Sequence, residues 1–516
     1  MPPAHHTDAG TLVESAGRRR AILLAVCTAL IAVVASASGL NVAQHDLALD
    51  LGASQSEVLW VINSYVVTLA ALLLPMGAIA DRRGRKPVLL AGLVVFGAAN
   101  AAAGFAGGVE ALLVARVAAG VGAAMVMPVT LSVITSSFPP ATRSQAIGVW
   151  SAVAGGGGLL GMLSSALLVD LASWRWLFAL PVALVAAALA LTLATVPNSR
   201  ERTAARFDLV GSLLSIAGIG GLVLGIHEGP TRGWTAAATL VPLAGGAAAL
   251  AGFVAWELRL AGAPLLDLRA FRDRRLASGS TALLVMFGVS AGVFVVLFPF
   301  FETVLGWSAL RSMLGLLPLI VVMMGASGAA AGVARRLGAA TTMTAGVGVA
   351  AAGLALMAAL VSVDGGYLSV LPGMVAIGLG MGLTMPPATE AITAALPPES
   401  QGVASALNDT TREVGSAIGI ALLGAVLTAS YRHAIEPALA AFPDRLASAA
   451  GEGVGRALDA AAHSTDPGRA DRLLDAARAA FVEGWAASMW AASAATAALF
   501  LVLAVRTRGN WTRTAP

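Results

Sequence analysis

GAIADRRGRK, Gly77 to Lys86, stands between two apolar runs at 58 to 80 and 88 to 107. Each flanking run has the roughly 20 residues a helix needs to cross a hydrocarbon core, so the basic stretch reads as the turn of a transmembrane hairpin. Arg82, Arg85 and Lys86 hold such a turn on the cytoplasmic side. Gly77 lets the first helix touch a neighbour closely, and Asp81 is placed to latch onto a nearby helix end or an arginine. A simple positive-inside anchor would account for the cations but not for Gly77, Asp81 and Gly84 at their spacing. Gly77, Asp81, Arg82, Gly84, Arg85 and Lys86 are therefore taken as a gating set.

Working outward, the 516 residues are 58% hydrophobic and 12% charged, with a mean hydropathy of +0.83, far from the soluble norm of about 25% charged. Apolar runs fall at 21 to 42, 58 to 80, 88 to 107, 109 to 134, 146 to 169 and 174 to 196. Two follow at 209 to 228 and 236 to 256. Six more lie at 278 to 303, 310 to 334, 340 to 361, 367 to 396, 403 to 428 and 485 to 504. Arg18 to Arg20, the 82 to 86 cluster, Arg143, Arg200, Arg202, Arg206, Arg269 to Arg275, Arg335, Arg336, Arg506 and Arg508 all lie on connections of one parity. The opposite short connections carry Asp46, Asp50, Glu57, Glu110 and Asp364. Both termini are thus expected in the cytoplasm, and the first run is an uncleaved anchor. The expected class is an all-α integral membrane protein of a cell membrane. Its divisions are a cytoplasmic tail 1–20, a six-helix bundle 21–198, a two-helix insertion with linkers 199–275, a six-helix bundle 276–505 and a cytoplasmic tail 506–516. The second bundle includes an extracytoplasmic loop 430–484, where Leu473, Leu474, Ala477, Ala480 and Phe481 mark an amphipathic helix leading into the final run.

An internal echo supports two related halves. Met127-Pro128 followed by Pro139-Pro140 recurs as Met385-Pro386 followed by Pro397-Pro398, and "ADRRGRKPVLLAG" from Ala80 is matched by "ARRLGAATTMTAG" from Ala334. The alternative is that proline merely punctuates helix ends. A single cysteine, Cys27, gives no disulfide or cysteine metal framework, and 32 basic against 28 acidic residues leaves topology, not nucleic acid, as the reason for the basic excess. No phosphate loop, nucleotide fingerprint, H-E-x-x-H or G-x-S-x-G is present, which argues against an ATP-driven pump or a hydrolase. No metal and no cofactor is expected.

The Gly77 to Lys86 stretch resembles the major facilitator loop motif G-x-x-x-D-R-x-G-R-R/K. Together with "WVINSYVVTLAALLLPMGAIADRRGRK", "SWRWLF" at 173 to 178, "VLGWSALRSMLGLLP" at 304 to 318 and "MPPATEAITAALPPESQGVASALNDTTREVGSAIG" at 385 to 419, it is similar to the fourteen-helix drug:proton antiporters of the EmrB/QacA-like branch. The resemblance implies the major facilitator fold, two pseudo-symmetric six-helix bundles plus two central helices, rocking about a midplane cavity and exchanging an inward proton for an outward drug. Three positions depart from the branch pattern. Ser36 stands where helix 1 usually offers an aspartate, the helix 5 pattern G-P-x-x-G-G falls on Gly161-Met162 and Ser165-Ala166, and Arg116 stands above Ala119 and Gly120 without the glutamine of R-x-x-Q-G.

Ionisable residues inside the membrane carry the candidate chemistry, because a charge there costs several kcal/mol unless it serves an ion, a substrate or a partner. Asp409, Arg412 and Glu413 share one helical face, with Asp409 roughly 9 Å and Glu413 roughly 15 Å from the cytoplasmic end of their run. Glu413, Asp409, Arg412 and Arg116 form the proton-coupling set, and a structural ion pair of Arg412 with Asp409 or Glu413 is the alternative. Glu302 follows Phe298 and Phe294 at helical spacing, suiting a lipophilic cation or, alternatively, simple lipid contact. Asn63 and Trp60 line the cavity or anchor the interface. Glu390, near Pro386-Pro387, is a gate group expected in a salt bridge. The function expected is proton-coupled export of small amphipathic, cationic compounds by a monomer whose partners are substrate, protons and membrane lipids. The alternatives are a narrow carrier of one anionic or neutral metabolite and a non-transporting receptor or scaffold.

Overall fold

The computed structural model describes residues 12–13, 15–40, 43–198, 207–260, 264–463 and 466–508. Arg200, Arg202 and Arg206, and most of both terminal tails, lie outside the described residues. Among the described residues all regular structure is helical, and fourteen helical segments are long and apolar enough to cross a membrane.

The chain forms two compact units. One comprises Met1–Gly225, Thr235–Ser280 and Ala388–Thr411; the other comprises Ile226–Trp234, Thr281–Pro387 and Arg412–Pro516. The first unit opens with α1 (Ala16–Gly39), a short α2 (Gln44–Leu51) and α3 (Gln55–Arg83). Ser54 starts α3 with a reciprocal cap: its hydroxyl accepts the Glu57 N–H at 3.3 Å while the Glu57 carboxylate accepts the Ser54 N–H at 2.8 Å. At the other end Gly84, with φ +103°, turns the chain into α4 (Arg85–Gly104). A side chain would strain that backbone, which is why glycine occupies the middle of the basic turn. Next come α5 (Val109–Ser137), α6 (Pro140–Leu171) and α7 (Ala179–Thr195), with α4 packed on α5 and α7, and α1 packed on α6 and α7. Leu30, Phe96, Met127, Ile134 and Trp150 fill this core. The insertion, α8 (Leu209–Arg232) and α9 (Ala237–Arg259), lies mostly in this first unit.

The remaining helices are α10 (Arg274–Pro299), which runs into a π-helical turn at Phe300–Val304, then α11 (Ala309–Gly315), α12 (Leu317–Leu337), α13 (Ala339–Leu360) and α14 (Gly366–Ala395). They are followed by α15 (Gln401–Leu439), α16 (Asp444–Glu452), α17 (Val454–Ala462) and α18 (Pro467–Arg508). In the second unit Trp485 of α18 is fully buried, donates to the Met357 carbonyl at 2.9 Å and packs against Phe300. Val114 of α5, Leu368 of α14 and Val505 of α18 are instead exposed, as expected of side chains that face lipid.

Several helices outrun the apolar runs that signal them. The run at 403 to 428 lies within α15, which continues past it to Leu439, and the amphipathic stretch before the final run is continuous with that run in α18. Hydropathy stops where charges appear, but helical hydrogen bonding does not. Conversely, the run at 310 to 334 is broken at Leu316, where Pro318 sits in the first turn of α12 and supplies no N–H to the preceding turn. The internal echo has a backbone counterpart. Gly84 and Gly338 both end a helix with positive φ and donate to the carbonyl four residues back, Ala80 and Ala334, and Pro139 and Pro397 both precede a proline in a helix's first turn.

Candidate functional site

In the first unit the end of α3 meets the beginning of α15. Asp81, 5% exposed, accepts the backbone N–H groups of Gly402 at 2.8 Å and Val403 at 3.1 Å, and the Arg85 guanidinium lies 3.3 Å from it. Arg85 is also buried and donates to the Pro398 carbonyl at 3.3 Å. The first N–H groups of a helix have no partner within it and carry the positive end of its dipole, so a carboxylate there both fills them and is stabilised by them. Closeness depends on two glycines: a Cβ on Gly77 would run into the Gly402 carbonyl, and one on Gly402 into that of Gly77. Around this latch Arg82 stacks over Phe207 at 5.3 Å, and Lys86 donates to the Leu193 carbonyl at 2.9 Å. A cavity of about 370 Å³ beside it is lined by Ala78, Asp81, Arg82, Leu265 and Val403 among others.

Glu390 lies near this end of the same unit, where the Ser144 hydroxyl donates to it at 2.6 Å. Its hydrogen-bond partner is a hydroxyl near the start of α6, which begins at Pro140, and Arg143 of the same stretch acts on its charge. Nothing in the run at 146 to 169 signals that earlier start.

Arg116 is fully buried in α5. It donates to the carbonyls of Val61 at 3.4 Å and Ser36 at 3.3 Å and to the Ser36 hydroxyl at 3.1 Å, and its guanidinium lies 4.3 Å from the Tyr65 ring centre. Ser36 in turn donates to Asn100 at 3.1 Å. Carbonyl dipoles and an aromatic face thus solvate the cation, while its Nη2 has no hydrogen-bond partner among the described residues. Asn100 is invisible to sequence reasoning here, since only the packing of α4 on α5 brings it to Ser36.

The helix held by Asp81 is the one that carries Asp409, Arg412 and Glu413. Asp409 is fully buried and accepts from Asn408 at 3.1 Å; Arg412 is buried with its guanidinium 4.4 Å from the Phe287 ring centre; Glu413 is half-buried. Asn408 and Phe287 are further residues that the sequence does not single out.

In the second unit Glu302 lies in the π-helical turn, which shifts it off the regular spacing from Phe298 and Phe294. It faces a cavity of about 380 Å³ lined by Pro299, Thr428, Tyr431, Glu452 and Phe481, not by Phe294 or Phe298. Tyr431 is fixed there by donating to the Ala450 carbonyl at 2.8 Å, and Arg478 donates to the Thr303 carbonyl at 3.1 Å. Trp60 and Asn63 are half-buried on α3, in the first unit. The SWRWLF segment has a structural role: Trp174 donates to Asp50 at 2.9 Å and Arg175 pairs with the same carboxylate. Arg175, and then Trp174, hold the Asp50 carboxyl below its ordinary pKa. Among the described residues no three His, Cys, Asp or Glu side chains gather as a metal site.

Residues 11–420 match the sequence model of the Major Facilitator Superfamily. The Multidrug resistance protein Stp of Mycobacterium tuberculosis is 32% identical over 424 residues, covering 82% of this chain and 78% of that one. The Methyl viologen resistance protein SmvA of Salmonella typhimurium is 30% identical, covering 95% of this chain and 97% of its own. Among solved structures, the human organic anion transporter MFSD10 superposes with a TM-score of 0.59 at 15% identity, covering 94% of this chain and 99% of that one, a likeness of fold alone.

Proposed function

The chain belongs to the Major Facilitator Superfamily, among its multidrug efflux transporters, and from that premise we propose that it exports small amphipathic compounds, chiefly cations, in exchange for protons by alternating access. One observation carries this reading: α15 is gripped at its first turn by Asp81 and carries Asp409, Arg412 and Glu413 in a segment long and apolar enough to cross a membrane. A change of charge on that helix acts directly on the element that the latch holds. In the proposed cycle Glu413 loads a proton from outside, and its neutral form lets α15 leave Asp81 and open the inner mouth. Proton release to the cytoplasm restores the negative charge, to which a cationic substrate is drawn. Arg412 and Asp409 set the local field around Glu413, and Arg116, with its carbonyl cradle, anchors α1, α3 and α5 about a fixed charge.

Glu302, with Glu452, Tyr431 and Phe481, supplies an acidic and aromatic surface suited to a lipophilic cation. The relatives, a multidrug resistance and a methyl viologen resistance protein, support cations among the substrates. One inward proton supplies about 1.4 kcal/mol per pH unit, enough for a roughly tenfold gradient, and a neutral substrate gains about 2.3 kcal/mol more per 100 mV, which an outgoing single positive charge cancels. The proposed disposition has both termini in the cytoplasm of a cell-membrane monomer, bundles 21–198 and 276–505 and insertion 199–275. It is a carrier without covalent chemistry.

A second reading, a narrow carrier of an anion, is favoured by Arg116, which is buried without an acidic partner among the described residues. Everted vesicles acidified inside separate the two. Adding a lipophilic dye cation should release protons, and Glu413→Gln should cut that release at least about tenfold without abolishing dye binding. Proton release that survives in Glu413→Gln would sink the role given to that residue, and release driven by organic anions alone would favour the second reading.

A further inference from the structure

Beside the latch, at the open end of the insertion, two carboxyl groups meet. Asp208 precedes α8, and its carboxylate accepts the Gly211 N–H at 2.8 Å and the Trp256 indole N–H at 3.0 Å. Glu257, 3% exposed near the end of α9, lies within hydrogen-bonding reach of it. A methyl group added to Gly211 would collide with Asp208 Oδ2 and Glu257 Oε1 at once, so both oxygens crowd one point. Neither oxygen of Glu257 has a hydrogen-bond donor among the described residues; the N–H groups of Leu265 and Leu266 face it without completing a bond.

A buried carboxylate with no donor, set against a second carboxylate, is costly on both counts. One proton removes both costs. The protonated carboxyl becomes a donor, its neighbour the acceptor, and the pair carries one negative charge in place of two. The other charged groups nearby are Arg82, from the end of α3, whose charge acts on Asp208 and on Asp81, Asp267, which with Leu265 lines the latch cavity, and Arg269, whose guanidinium donates to the Leu258 carbonyl at 3.1 Å beside Glu257.

We propose that Asp208 and Glu257 form a proton-binding site separate from Glu413, holding one proton between their carboxyl groups at the end of the insertion next to the Asp81 latch. Loss of that proton leaves two negative charges beside Arg82 and makes Glu257 an acceptor for the Leu265 and Leu266 N–H groups. Arg82 is then drawn from Asp81 toward Asp208, and the 264–270 wall of the latch cavity tightens onto α9. The two added helices thus give the inner mouth a sensor of cytoplasmic protons.

The site is tested without any transport assay, so its failure and that of the export reading are distinguishable. Infrared spectra of the purified full-length protein should show, at about pH 7, a protonated-carboxyl C=O band that Glu257→Gln removes, although an ordinary glutamate titrates near pH 4.3. Asp208→Asn keeps the cap on α8 and removes the neighbouring charge, and should move the midpoint of that band down by about one pH unit or more. Wild-type and Glu257→Gln spectra that superimpose at neutral pH would overturn the proposal. So would loss of the wild-type band on adding sodium or calcium, which would make the ligand a metal cation.

Discussion

Replacing Asp81 by Asn should open the inner mouth in the absence of substrate. The carboxylate accepts two backbone N–H groups of α15 and faces Arg85; an amide has one oxygen, no charge, and an NH2 group directed at another donor. One backbone bond and the Arg85 interaction are lost, each charge-assisted and each worth about 1.5–3 kcal/mol. Water takes over part of this once α15 has moved away, leaving a difference between closed and open forms of about 2–3 kcal/mol, or a ~30- to ~150-fold shift in population. The buried Arg85, left without its acid, adds to the strain on the closed form. The assay is maleimide labelling of Ala78→Cys, a position 6% exposed beside the latch, in everted vesicles; Cys27, the chain's single cysteine, is buried. Labelling should be slow in the parent and faster by one to two orders of magnitude with Asp81→Asn. Equal slow rates in two folded proteins would refute the latch as the restraint on opening.

Ser36→Asp should place a carboxylate against the Arg116 guanidinium, already 3.1 Å from the Ser36 hydroxyl, and stabilise the solubilised protein by about 1–3 kcal/mol, read as a higher thermal unfolding midpoint. A lower midpoint would mean that the carbonyl cradle alone satisfies that charge. For Asp50, whose folded-state pKa lies below its unfolded value, the linked stability is present above the unfolded value and is lost as pH falls through the folded one. Asp50→Asn should therefore lower the unfolding midpoint at neutral pH, and the two proteins should converge in acid; a constant gap at every pH would rule out the ionic origin.

The number of spans and the latch were readable from sequence because both are written locally. Twenty apolar residues specify a span, and glycine, aspartate and arginine within ten positions specify a tight charged corner. What the spacing omits is the partner. Asp81 reaches Gly402 across 321 positions, and Asn100 reaches Ser36 across 64, so only packing reveals them. Glu302 shows a different failure: its spacing from Phe298 is helical on paper, but one wide turn rotates it toward Tyr431 and Glu452. Asp208 and Glu257 give no sequence signal because each sits at the edge of an apolar run, where isolated acids usually face water.

The length of α15 has a mechanical consequence. At 39 residues it is a rod about 58 Å long, and the Asp81 carboxylate holds its first turn. Pivoting such a rod by about 5° displaces an end by about 5 Å, roughly a side chain's width. A proton taken up at Glu413, as proposed, would therefore act on the same lever that the latch holds, with no chain of intermediaries between them.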